Sequence, residues 1–148
     1  MMYRRILVPL EHTGTDATIV SHVRALAHHC QASVLVIHVA DGWAARNIVQ
    51  LKLRESEEVR LDRSYIESVA ADLRKDGLEA ESLLASGDPA AEIVAAAERE
   101  GCDLIAMATH GHKLIGDVVY GSVANGVRHA TSIPVLLVRV PAASAKGM

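Results

Sequence analysis

The chain contains no phenylalanine and one tryptophan in 148 residues, and aromatic side chains make up 3 % of it. Its core therefore cannot be built on rings. Half of the residues are hydrophobic, so Ala, Val, Leu and Ile must fill the interior, and small aliphatic side chains suit closely stacked helices and sheet. Cysteine is scarce as well. Cys30 and Cys102 lie far apart with no C-x-x-C pair, which reads as two reduced thiols in a cytoplasmic protein and excludes a disulfide framework. No apolar run approaches the roughly 20 residues of a membrane-spanning helix. No segment reads as a secretory leader, so no membrane insertion is expected. There is no excess of positive charge either: the formal net charge is −3 with histidine neutral, which leaves no basic footprint for nucleic acid. The length fits a single domain over residues 1–148, with 141–148 as a frayed tail.

What the chain does contain is an alternation of short apolar runs and helical periods. Tyr3–Pro9, Ser33–Val39 and Asp103–Ala108 read as buried strands, and Ile133–Val140 as a fifth strand, because they are apolar on both faces. Leu78–Ala85 alternates apolar with polar residues and reads as an edge strand. Between them the spacing predicts a helix over Asp16–Cys30, with Thr13 or Thr15 as its cap. A second helix is firm from Val59 and stops near Gly77. A third starts at Asp88-Pro89 and ends before Gly101. The last carries Val119, Val123, Val127 and Ala130. Residues 41–58 are charged with little consistent period and read as a connection of partial helical content. This β-α-β-α-β-α-β-α-β order predicts an α/β fold, Rossmann-like: a five-stranded parallel sheet with helices on both faces, read in the order 3-2-1-4-5 because that order brings together the loops after the first and fourth strands. That order sets the first and fourth strands side by side. Their carboxyl ends then form the crevice where such sheets bind ligands.

Two loops meet at that crevice. One is Pro9–Gly14. The other runs from Ala108 to Ser122 and holds Gly111, Gly116 and Gly121, a strand-to-helix connection of the kind that brings backbone N–H groups to an anion. It is not a Walker A loop, since Gly111-x4-Gly116 is followed by Asp117-Val118 and not by Lys-Ser/Thr. With no dedicated lysine, general base or arginine finger in view, the site reads as a binder, with slow hydrolysis at most and no catalytic residue. His12, His110 and His112 sit on these loops without ligand-like spacing, so no metal site is assigned. His28 and His29 end a helix, where cationic rings suit the dipole.

Five blocks in order, Ile6–Thr13, Gly87–Ile93, Met107–Gly111, Gly121–Ala124 and Ile133–Arg139, resemble the universal stress protein (UspA-like) family. The ATP-binding branch of that family carries Gly-x2-Gly-x9-Gly-Ser/Thr after the fourth strand. Here the same frame holds Ala108, Gly111, Gly121 and Ser122 at the correct spacing. The resemblance implies the adenine nucleotide alpha hydrolase-like version of the fold. It also implies a cytoplasmic stress-response protein that binds ATP, with or without Mg2+, as a nucleotide-dependent switch or accessory factor. Its site residues would be Pro9, Glu11 and Thr13 after the first strand and Val39 beside adenine. Ala108, Thr109, Gly111 and His112 would form the loop. Gly121, Ser122, Val123 and Ala124 would meet the phosphates, Ser122 offering its hydroxyl and N–H at a helix N-terminus. The family's first loop usually reads Asp-Gly-Ser, where this chain has Glu11-His12-Thr13. That departure and Ala108 favour the alternative of a family member that has lost nucleotide binding and acts through protein partners. A hydrolase or adenylating enzyme on the same fold would need a serine- and glycine-rich first loop, which Leu10–Gly14 lacks. The apolar fifth strand, an uncovered edge in this order, predicts a homodimer through antiparallel pairing of Ile133 to Val140, as the resemblance also implies.

Overall fold

The computed structural model describes the backbone of residues 2–41, 48–110 and 115–141, and the side chains of 2–40, 57–109 and 122–141. The elements in order are β1 (Arg5–Pro9), α1 (Asp16–Cys30), β2 (Ser33–Asp41), α2 (Ile48–Lys75), β3 (Ala80–Gly87), α3 (Pro89–Arg99), β4 (Leu104–His110), α4 (Ile115–Ala130) and β5 (Val135–Val140). The strands form one parallel sheet of order β3-β2-β1-β4-β5, the expected topology.

The period of two along each strand divides the core into two layers. Ile6, Val8, Val34, Val36, Leu104 and Ala106 face α1 and α2, where Ile19, Val23, Ile66 and Leu73 complete the packing. Leu7, Leu35, Ile37, Ile105 and Met107 face α3 and α4, where Ile93, Ala97 and Val127 meet them. Both cysteines are buried free thiols, one in each layer. Burial pushes the Cys102 thiol above its ordinary range, which keeps it protonated and unreactive.

Helix ends follow local chemistry. Asp88 caps α3 by accepting from Ala91 N–H at 3.0 Å, with Pro89 in the first turn. Gly77, with φ of +93°, takes the left-handed turn after α2 that a side chain would resist. Two expectations are corrected. Thr15 occupies the cap position of α1 but makes no side-chain cap hydrogen bond; Thr13 and Thr15 join their hydroxyls to each other at 2.7 Å. Residues 48–58 are helix, so α2 is 28 residues long. That stretch lacks Gly and Pro and is rich in Leu, Lys, Arg and Glu, so propensity sustains the helix where apolar period is weak. Residues 42–47 and the tail from 142 lie outside the described residues.

Helices α3 and α4 approach closely at Gly126, where a Cβ would stand 2.9 Å from the Ala90 methyl. Gly126→Val is expected to force the two helices apart and to destabilise the protein by about 1–3 kcal/mol, measured by urea unfolding. An unchanged midpoint would contradict this packing.

Candidate functional site

The carboxyl ends of β1, β2 and β4 surround a cavity of about 290 Å³. Its walls are largely apolar: Pro9 and Leu10 at the end of β1, Ile37 and Val39 on β2, Met107 and Ala108 on β4. Pro89 and Ile93 of α3 and Val123 of α4 close the far side. Polar groups stand at Glu11, Thr13, Asp16 and His38. The cavity lies between β1 and β4, where the strand order reverses, the position at which open α/β sheets take ligands.

The loop after β1 is shaped by one carboxylate. Asp16, the first residue of α1, is 3 % exposed. It accepts from the N–H groups of Glu11 at 3.0 Å, His12 at 2.8 Å and Thr13 at 3.3 Å, and from the Tyr65 hydroxyl at 2.6 Å. A buried charge is tolerable only when donors surround it, and four do. Burial, then the bond to Asp16, pushes the Tyr65 phenol well above its ordinary range, so it remains a donor. The Glu11 side chain is steadied by the Thr15 hydroxyl at 3.4 Å.

A second set of contacts joins this loop to β2 and α2. His12 has φ of +64°, in the left-handed region, and stacks on Tyr65 with ring centroids 4.1 Å apart. Its Nδ1 donates to Asp62 Oδ1 at 2.6 Å. His38 Nδ1 donates to the Leu10 carbonyl at 2.9 Å, and His38 Nε2 lies 3.3 Å from Asp62 Oδ2. Asp62 thus stands between two imidazoles. Among the described residues no group of three or more His, Cys, Asp or Glu is arranged to hold a metal ion.

Of the residues expected in the site, Pro9, Glu11, Thr13, Val39, Ala108 and Val123 line the cavity. Thr109 and Ala124 lie outside its described lining, and Ala124 is buried in the packing of α4. Gly111 and His112 fall outside the described residues, as do the surroundings of Gly121. One expectation is corrected. Ser122 was placed at a helix N-terminus, but α4 begins at Ile115, so Gly121 and Ser122 lie within the helix. Only the first four N–H groups of a helix lack internal partners. Those lie in the first turn, so the N–H groups of Ser122, Val123 and Ala124, well inside α4, have partners within the helix. The Ser122 residue itself is exposed.

Asp16, His38, Asp62 and Tyr65 were not singled out from the sequence. His38 did leave a signal, a lone polar residue in the otherwise apolar run Val34–Val39. Asp16 was visible only as the first residue of a predicted helix. Asp62 and Tyr65 gave none, because their partners lie on other elements, His12 and Asp16 being 50 and 49 positions earlier.

A parallel sheet of this order with a cavity at its switch point defines a doubly wound, Rossmann-like α/β protein. The sequence matches the universal stress protein family over residues 2–139, and the chain belongs to that family. Similar proteins include universal stress proteins of Methanocaldococcus jannaschii, 28 % identical over 94 % of this chain and 96 % of that one. Another, from Methanothermobacter thermautotrophicus, is 32 % identical over 93 % and 97 % of the two chains. The solved structure of the M. jannaschii protein MJ0577 superposes with a TM-score of 0.78 at 27 % identity, covering 94 % of this chain and 97 % of that one.

Asp16→Ala would leave three loop N–H groups and one phenol without their acceptor. A loss of about 2–4 kcal/mol in urea unfolding is expected, with Asp16→Asn milder. A loss below about 0.5 kcal/mol would show that the carboxylate does not organise the loop.

Proposed function

We propose that this chain binds an adenine nucleotide, ATP foremost, in the cavity at the carboxyl ends of β1, β2 and β4, and that occupancy switches its contacts with protein partners in the cytoplasm. The observation that carries this reading is an apolar cavity of about 290 Å³ at the switch point of the sheet. That volume lies near the lower end of ligand pockets, roughly 300–1,000 Å³, and suits a nucleoside whose phosphates extend outward along residues 108–122. Val39 and Met107 would hold the base, and Glu11 and Thr13 would hydrogen-bond the sugar. Ala108, Thr109, Gly111, His112, Gly121 and the Ser122 hydroxyl would follow the phosphates, with Mg2+ as their counter-ion. Two family structures support the choice of ligand. One is a universal stress protein in complex with cAMP, of TM-score 0.70. The other, from Archaeoglobus fulgidus, is in complex with dAMP and has a TM-score of 0.62. A second reading, a protein that works through partners without nucleotide, is favoured by one observation: α4 begins at Ile115, which withdraws three N–H donors from the phosphates.

Denaturing the purified protein and identifying released nucleotide by mass spectrometry, with calorimetric titration of ATP into the stripped protein, separates the two. Binding is expected, and Ala108→Leu, which fills the cavity, is expected to weaken it by about a hundredfold, or roughly 3 kcal/mol. No released nucleotide and no heat at about millimolar ATP would leave the partner-only reading.

The chain is further proposed to form a homodimer through β5. That strand is the sheet edge, and Leu137 on it is 40 % exposed. Bare apolar edges pair with other edges, and a charge placed on them blocks pairing. Sedimentation is expected to give a dimer at about micromolar concentration and a monomer for Leu137→Lys, which at 1.4 kcal/mol per tenfold needs only a few kcal/mol. A monomeric parent protein would refute the edge contact.

A further inference from the structure

Among the described residues, neither Tyr65 nor His12 lines the cavity. Tyr65 stands behind the cavity wall, in a groove between α1 and α2 that it lines together with Thr13, Gly14 and Asp16. Thr13 and Asp16 line the cavity as well, so they form the partition between the two spaces. Tyr65 meets that partition in two ways. Its hydroxyl donates to Asp16 Oδ2 at 2.6 Å, the oxygen that also accepts from the N–H groups of His12 and Thr13. Its ring lies on the His12 ring, with centroids 4.1 Å apart and planes at 11°.

We infer that Tyr65 is a positioning residue for the ligand site: from α2 it holds the loop after β1 in its binding shape, by its hydroxyl through Asp16 and by its ring through His12. The hydroxyl acts because Asp16 is 3 % exposed. A buried carboxylate that loses a donor is drawn toward water, and the three loop N–H groups bonded to it lose their fixed acceptor. The ring acts because His12 has φ of +64°, a backbone state that a residue other than glycine keeps only when its surroundings hold it there. His12 sits between Glu11 and Thr13, which both line the cavity, so a change of backbone at His12 redirects both. The two routes separate chemically. Tyr65→Phe drops the hydroxyl and keeps the ring, Tyr65→Leu drops both, and His12→Gly adopts positive φ with no ring to hold it.

The role rests on the nucleotide reading of the cavity, and a measurement without ligand keeps the two apart. Affinity is read by calorimetric titration of ATP into the stripped protein, well below its melting temperature. There a loss of global stability leaves the affinity of the folded protein unchanged, whereas a misshapen loop lowers it in proportion to the fraction of molecules still in the binding shape. Tyr65→Phe is expected to weaken binding about fivefold and Tyr65→Leu about fiftyfold, the tenfold between them being the stack. In a His12→Gly background the two are expected to agree within about twofold. The measurement without ligand is amide hydrogen exchange at Glu11, His12 and Thr13. Tyr65→Phe is expected to speed it at least about tenfold, while the Ile105 N–H, bonded to the Pro134 carbonyl, stays protected. Affinity of Tyr65→Phe within about twofold of the parent protein, or a gap between Tyr65→Leu and Tyr65→Phe that survives in the His12→Gly background, overturns the inference. Tyr65→Phe keeps the ring, so it tests the hydroxyl route even where Tyr65→Leu does not fold. If ATP gives no heat with the parent protein, the nucleotide reading fails and exchange decides: faster exchange of the three amides in Tyr65→Phe upholds the positioning role, and unchanged exchange overturns it.

Discussion

Four donors converge on Asp16, the one polar or charged side chain that is buried among the described residues. Three are backbone N–H groups of consecutive loop residues and the fourth is the Tyr65 hydroxyl. The arrangement solves two problems at once. A loop that turns sharply at a strand end exposes N–H groups that need acceptors, and a carboxylate out of water needs donors. Each need answers the other, so neither half is stable alone. The shape of the cavity wall at Leu10, Glu11 and Thr13 depends on that mutual satisfaction.

The same carboxylate ties the site to the rest of the fold. Asp16 opens α1, whose Ile19, Val23 and Ala27 are buried against the sheet. Tyr65 belongs to α2, whose Ile66, Ala70 and Leu73 sit in the same layer. The apolar packing of two helices therefore sets the distance at which the phenol meets the carboxylate. The other layer contributes differently. Ile93 and Val123 reach the cavity from α3 and α4, two helices that approach closely at Gly126. One wall is fixed by hydrogen bonds and the opposite wall by helix packing.

This division explains what could be read from the sequence. The five strands follow from apolar runs and their punctuation, which are local signals, and their order from the need to bring the loops after the first and fourth strands together. Pro9, Val39 and Ala108 could be placed in the site because strand ends are placed by topology. The loop's internal fastening could not, because Asp62 and Tyr65 are linked to it across α2 and nothing in their own neighbourhood marks them. The start of α4 was misjudged for a related reason: Gly111, Gly116 and Gly121 favour a loop by propensity, yet α4 holds two of them as helix from Ile115 onward. Glycine in a helix costs about 1 kcal/mol against alanine, a small term that tertiary packing of Ala124 and Val127 can outweigh.

His12 makes the dependence of the loop on α2 sharper. The Asp-Gly-Ser pattern implied by the family resemblance sets glycine at this place, and glycine adopts positive φ without strain. Here histidine holds φ of +64°, a region that side chains other than glycine enter at a cost of about 1–3 kcal/mol, though histidine is among those that tolerate it better. The offsetting contacts are the stack on Tyr65 and the bond to Asp62. Both partners belong to α2. A glycine loop would take its conformation from backbone freedom, and its shape would survive movement of a neighbouring helix. This loop takes its conformation from side chains one helix away, so displacement of α2 would release His12 and, through Tyr65, weaken Asp16. Cavity wall and helix are in that sense one structural unit, since the contacts that hold the loop's shape belong to α2.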